Sequence, residues 1–212
     1  MLNVIFDFDS TLVKNESFND VLKLALNGDK DKIKQVDEVV DKSMNGLITT
    51  KESMDFRLQI ASLNKGMMEQ VIDETEITDG MLNFVSSLTN RANVYIVSGG
   101  FKEMIVPIAK KFGIEEQNVY ANEFIYDDDK IIGAKQGILL EPQGKCKVID
   151  GLKLQGKKVM VGDGWTDLET YLHKSVDVFV AFYGVIKRDK VDAKAEIKAN
   201  NVKELSSIID NL

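Results

Sequence analysis

Short, unbroken apolar runs alternate along this chain with longer stretches in which apolar residues recur every three or four positions. The runs at residues 2–6, 93–97, 158–161 and 176–182 have the length of strands and are rich in β-branched and aromatic residues. A strand reads this way when helices cover both faces of its sheet. Helical periodicity fills the intervening residues 80–88, 101–112 and 145–154. The alternation predicts an α/β fold, a doubly wound, Rossmann-like parallel sheet. Functional residues of such sheets collect just past the carboxyl ends of the strands, where Asp7, Ser98 and Asp163 fall.

Residues 14–77 break the pattern. They hold no strand-like run and read as consecutive amphipathic helices at 17–26, 30–44, 51–63 and 65–76. The segment is far longer than an ordinary connection. It is therefore read as an inserted α-helical cap, with residues 1–13 and 78–212 forming the sheet core. At 124–133, FIYDDDKIIG, two apolar runs flank Asp127, Asp128 and Asp129. Aspartate favours turns, so this is read as a hairpin with a solvated tip rather than a metal site.

Composition narrows the chemistry. The 212 residues carry a net charge of −7, which argues against nucleic acid or an anionic membrane as partner. No run approaches a membrane span, and the opening MLNVIFDFDSTL has no basic region ahead of its apolar run, so a cytoplasmic protein is expected. A single cysteine, Cys146, excludes an internal disulfide, and a single histidine, His173, excludes schemes that need two. Carboxylates, lysines, hydroxyls and backbone amides remain to carry the chemistry. The sequence sets no oligomeric state.

Four clusters can carry it. In Asp7-Phe8-Asp9-Ser10-Thr11, residues two apart on an extended chain point the same way, so both carboxylates can face one pocket. A divalent cation or a division of labour relieves their repulsion. In Val97-Ser98-Gly99-Gly100, a small hydroxyl and glycines let backbone N–H groups close around an anion ahead of a helix. In Gly144-Lys145-Cys146-Lys147, a lysine can neutralise phosphate as a point cation, while Cys146 reads as a small packing residue. In Gly162-Asp163-Gly164-Trp165-Thr166-Asp167, Asp163 is placed to meet a cation and Asp167 to orient it or the lysine. Taken singly, each cluster also has a purely structural reading, such as a helix N-terminal acid for Asp167.

Together, DFDST, SGG, GK and GDGxTD in this order make the chain resemble the haloacid dehalogenase superfamily over essentially its whole length. The resemblance implies hydrolysis of a phosphomonoester through an aspartyl-phosphate, with Mg²⁺ as cofactor. By that resemblance Asp7 is the nucleophile, and Asp9 is the general acid that later activates water. Mg²⁺ would be held by the Asp7 carboxylate, the Asp9 backbone carbonyl and Asp163, with Asp167 behind them or reaching it through water. Ser98, the Gly99 N–H and Lys145 would hold the phosphoryl oxygens. Lys145 is preferred to Lys147 because the family lysine precedes the small residue that opens this helix. A carboxylate attacking an anionic phosphate needs this neutralisation of charge.

A helical cap between the first two motifs is similar to the branch that contains phosphoserine phosphatases. There Glu16 matches the acid that recognises a substrate amine, Arg57 the arginine that takes a substrate carboxylate, and Met44, in Met44-Asn45-Gly46, an apolar wall. One anion and one planar, bidentate cation near a phosphate site complement a zwitterionic amino-acid phosphate. Arg57 also stands out because the chain has only Arg91 and Arg188 besides it among 27 basic residues. The implied reaction, a step of serine biosynthesis, converts O-phospho-L-serine to L-serine and phosphate.

Several positions depart from the pattern or stand apart from it. Thr50 stands where the branch commonly has phenylalanine, and Trp165 is bulky for its loop and is read as packing. Pro107 is expected to kink its helix, His173 reads as a helix C-terminal cation, and Arg188 as a candidate rim residue. Two other functions stay open: hydrolysis of another small metabolite phosphate, of phosphocholine or methionine-salvage type, and a non-catalytic regulatory protein that binds a ligand.

Overall fold

The computed structural model describes residues 1–44 and 47–212, and of Met44 the backbone alone. The chain opens with β1 (Leu2–Phe6) and continues through α1 (Ser17–Leu26), α2 (Lys30–Met44), α3 (Thr50–Ile60), β2 (Leu63–Asn64) and α4 (Lys65–Glu74). It then alternates through α5 (Met81–Leu88), β3 (Asn93–Phe101), α6 (Lys102–Ala109), β4 (Val119–Asn122), β5 (Phe124–Asp127) and β6 (Lys130–Ala134). The last third holds α7 (Gly144–Gly151), β7 (Lys157–Gly162), α8 (Trp165–Leu172), β8 (Val178–Phe182), α9 (Asp189–Asp192), β9 (Ile197–Ala199) and α10 (Val202–Asp210).

Six strands form a parallel sheet in the order β4-β3-β1-β7-β8-β9. β1 lies inside the sheet, and its apolar run Val4, Ile5 and Phe6 is fully buried. Its alternation sends Val4 and Phe6 into one apolar cluster, with Phe84 and Leu88 of α5 and Leu205 of α10. Ile5 points to the opposite cluster, with Ile149 of α7 and Leu168 of α8. Each such side chain contributes about 1.5–3 kcal/mol of burial. Strand order reverses between β1 and β7, and the crevice at such a reversal is where doubly wound sheets bind ligands.

The helical segment has an apolar cluster of its own. Phe18, Leu22, Met54, Met68 and Val71 pack with Phe101 and Met104 from the sheet side and with Phe124 and Ile131 from the hairpin. Two of its helices are started by side-chain caps: Thr49 forms a capping box with Glu52 ahead of α3, and Asn64 accepts from the Met67 N–H ahead of α4. The chain leaves and rejoins the sheet side by side, with Val13 bridged to Ile77 and the Lys14 N–H donating to the Glu76 carbonyl at 2.8 Å.

Three expectations are corrected. Residues 14–77 do contain a strand: β2 pairs antiparallel with β6, joining the β5/β6 hairpin in a three-stranded sheet. Two residues are too few to show a period. β3 runs past Val97 to Phe101, with an irregular register against β4 in between, so Ser98, Gly99 and Gly100 lie on extended backbone and α6 starts at Lys102. β8 begins at Val178 rather than 176, because Ser175 and Val176 donate back to the Thr170 carbonyl. Pro107 lies inside α6, which passes into a 3₁₀ turn at Lys110–Phe112. Asp127, Asp128 and Asp129 are exposed at the hairpin tip. No helix among the described residues is long and apolar enough to cross a membrane.

Candidate active site

The Asp7 N–H still donates to the Val161 carbonyl of β7 at 2.9 Å, so the sheet itself fixes this residue. Beyond it the chain turns sharply, with Leu12 and Val13 N–H groups on the Phe8 carbonyl and Ser10 in the left-handed region at φ 52°. Asp7 Oδ1 accepts from the Phe8 N–H at 2.8 Å and pairs with Lys145 Nζ at 2.9 Å. Lys145 is only 6% exposed and also bonds Asp167 Oδ1 at 2.6 Å. The other Asp167 oxygen accepts from the Gly164 N–H at 3.0 Å.

Two glycines make this packing possible. A Cβ at Gly162 would lie 2.3 Å from Asp167 Oδ2, and one at Gly144 would lie 2.5 Å from the Ile138 carbonyl oxygen. At Gly99 a Cβ would meet nothing within 4 Å, which leaves open space beside the buried Ser98. Ser98 Oγ accepts from the Gly100 N–H at 3.0 Å.

Burial and crowding shape the protonation of this cluster. Desolvation and the charges of Glu16 and Asp7 push the Asp9 carboxyl up to about 7, against hydrogen bonds from the Ser17 N–H and Oγ. Asp167 is likewise raised to about 7 by burial and Asp7, although Lys145 opposes the shift. Asp163 lies well above the usual carboxylate range, through burial first and the neighbouring acids Asp7 and Asp167 next, although Arg188 opposes the shift. Burial works against the Lys145 ammonium, but Asp167 and Asp7 outweigh it and hold the group above its ordinary value.

The helical segment adds the remaining walls. Glu16 Oε1 accepts from Ser10 Oγ at 2.8 Å and from Arg188 Nη2 at 3.1 Å, while Arg188 Nε pairs with Asp163 Oδ2 at 2.6 Å. Arg57, on α3, donates Nε to the Ser53 carbonyl at 3.2 Å and Nη1 to Asn19 Oδ1 at 3.1 Å, and its Cζ sits 4.9 Å from the centre of the Phe18 ring. It forms no ion pair among the described residues, and burial pulls its guanidinium down to about 10. A cavity of about 370 Å³ is lined by Asp7, Asp9, Ser98, Gly99, Lys145 and Asp163 together with Glu16, Asn19, Thr50, Arg57, Trp165 and Arg188.

The sheet-end residues singled out from sequence thus share one site with Glu16 and Arg57. The Met44 side chain, Asn45 and Gly46 lie outside the described residues. Trp165, read as packing, does pack against the cluster of Ile149 and Leu168 and also lines the cavity, and Lys194 stands 4.9 Å from its ring. Lys147 pairs with Glu141 away from the cluster, Cys146 is a buried free thiol, and His173 is exposed at the end of α8. Sequence reasoning missed two things: that Arg188 reaches both Asp163 and Glu16, and that Asn19 holds Arg57. The loop at residues 181–188 marks Arg188 only as a candidate rim residue; Asn19 leaves no signal.

Carboxylate oxygens of Asp7, Asp163 and Asp167 lie within 4.8 Å of one another. An all-oxygen, anionic donor set suits a hard divalent cation. The raised Asp163 and Asp167 carboxyls reflect burial first and then crowded negative charge, which such a cation would offset. The residues present fit Mg²⁺.

Residues 4–171 match the family model for haloacid dehalogenase-like hydrolases, and the chain belongs to that family. Within it, the chain is a phosphatase. It is 30% identical over 215 residues to phosphoserine phosphatase of Bos taurus, covering 98% of this chain and 92% of that one. It is 29% identical to the chloroplastic phosphoserine phosphatase of Arabidopsis thaliana, covering 91% of this chain but only 66% of the length of that relative. Its fold is similar to the crystal structure of a phosphoserine phosphohydrolase-like protein from Francisella tularensis, with a TM-score of 0.91 at 32% identity over 99% of this chain and all of the other.

Proposed function

We propose that this phosphatase is Mg²⁺-dependent, works through a phospho-aspartate on Asp7 and prefers O-phospho-L-serine. The observation that carries the substrate is Arg57: a cation without an ion pair among the described residues, in the wall of the cavity that holds Asp7 and Lys145. A carboxylate on the substrate would be its partner, and Glu16 would take the ammonium group.

The Phe8 N–H and Lys145 hold Oδ1 of Asp7, and Oδ2, which has no hydrogen bond among the described residues, attacks phosphorus. The bond from phosphorus to the serine oxygen breaks, and Asp9 gives its proton to that oxygen. With its carboxyl held near 7, Asp9 keeps this proton close to neutral pH and then takes one from the water whose oxygen attacks phosphorus, and the bond from phosphorus to Asp7 Oδ2 breaks, which frees phosphate and restores the carboxylate. Ser98, the Gly99 N–H and Lys145 hold the phosphoryl oxygens. Bound to the Asp7 carboxylate, the Asp9 backbone carbonyl and Asp163, with Asp167 behind, Mg²⁺ would supply neutralisation of the phosphoryl charge.

Residues 14–77 act as the cap that chooses the substrate, and residues 1–13 and 78–212 as the core that reacts. Closure of the cap would exclude bulk water while the phospho-aspartate forms. Thr50, a small residue on the cavity wall, favours one other reading, a bulkier amine phosphate such as phosphocholine. A panel of phosphomonoesters with Mg²⁺ decides between them. Phosphoserine is expected to have the highest kcat/KM. Equal or better turnover of phosphocholine or a sugar phosphate would remove the specificity and leave the class.

A further inference from the structure

We infer that Asn19 is a positioning residue for Arg57 and so helps to set the preference for a carboxylate-bearing ester; the inference rests on the substrate reading above. Asn19, on α1, is 6% exposed and lines the cavity beside Arg57, on α3. A guanidinium has donors only, so the Asn19 atom that faces it at 3.1 Å must be the oxygen.

Three contacts fix Arg57 from three sides: Asn19 Oδ1 at Nη1, the Ser53 carbonyl at Nε, and the Phe18 ring against the guanidinium. The first two do not share an edge of the fork, because the Nε–H lies on the Nη2 side. Nη2 has no protein partner among the described residues. It is the donor left, with the second proton of Nη1, for a planar carboxylate. Phe18 and Asn19 both belong to α1, which begins just after Glu16, and of the two only Asn19 offers a directional hydrogen bond, so it sets the orientation of the fork relative to that helix. An arginine ordered in advance spares the ligand the entropy of ordering it. Asn19 therefore acts on recognition, not on the phosphoryl chemistry.

The test is steady-state kinetics with Mg²⁺ on O-phospho-L-serine and O-phosphoethanolamine, which share a phosphate and an amine and differ by the carboxylate. Asn19→Leu keeps the size and burial of the residue and removes the acceptor. It is expected to raise KM for phosphoserine on the order of tenfold, with kcat within about twofold and phosphoethanolamine unchanged. Asn19→Asp, which keeps an acceptor at the same reach, is expected to restore KM to within about threefold of wild type. With Arg57→Met already in place, Asn19→Leu should add nothing. A wild-type ratio of the two substrates in Asn19→Leu, or an equal loss of both, overturns the role of Asn19 alone. A wild-type protein that does not prefer phosphoserine overturns the substrate reading, and this inference with it.

Discussion

Of the three cations that line the cavity among the described residues, Lys145 and Arg57 are treated most differently by the fold. Lys145, at the sheet ends, has Asp7 and Asp167 within ion-pair distance and is held above its ordinary pKa. Arg57, in the helical segment, has a neutral amide, a carbonyl and an aromatic ring, and is drawn down to about 10. The sheet ends form a charge network that is complete before any substrate arrives. The helical wall keeps a charge with no ion pair among the described residues. On the function proposed above, the sheet supplies the reaction and the helices supply selection.

The comparison can be broken first at the sheet ends. Asp7→Asn should lower phosphate release by roughly 10³-fold or more while the protein still melts cooperatively. Retained turnover would remove Asp7 as the nucleophile. Lys145→Met comes next. It leaves Asp167, which is 0% exposed, without its cation, so a loss of about 3–5 kcal/mol in denaturant unfolding is expected beside a large loss of activity.

Arg57→Met should behave in the opposite way. The KM for phosphoserine should rise on the order of tenfold or more, while the stability loss stays at about 1–2 kcal/mol, below that of Lys145→Met, since two hydrogen bonds but no ion pair are lost. If both lysine and arginine variants unfold the protein alike, the contrast between the two cations fails.

A further effect is expected on pH dependence without metal. Asp9 stays protonated up to about 7 in the folded chain, whereas an unfolded aspartate loses its proton near 3.8. The folded state then binds more protons across that window, so stability falls as pH rises from about 4 to about 7 and levels off above it. Melting curves in chelator should show this decline, and added Mg²⁺ should flatten it. A melting temperature that climbs across the same window without metal would contradict the assignment.

Much of this division can be read in the sequence, for physical reasons. A strand buried on both faces cannot hide its composition, so β1 and β7, and with them the places of Asp7 and Asp163, follow from apolar runs that end in acids. Amphipathic helices likewise announced the segment that carries Glu16 and Arg57. The rest depends on chain return. Arg188 meets Glu16 across 172 positions, through the loop after β8, and no local pattern encodes that distance. β2 shows itself only through its partner β6. Ser98-Gly99-Gly100 reads as a turn because glycine usually marks one, yet the backbone stays extended beside β4 to Phe101. Asn19 looks like any polar residue of an amphipathic helix until α3 sets Arg57 against it.

The decisive quantity is the ratio of kcat/KM for O-phospho-L-serine to that for O-phosphoethanolamine, measured with Mg²⁺ in the wild-type protein and in Arg57→Met. A carboxylate recognised by Arg57 predicts a ratio on the order of ten or more in the wild type and near one in the variant. A wild-type ratio near one, or a high ratio that survives the loss of Arg57, would contradict a helical wall that selects its substrate through that arginine.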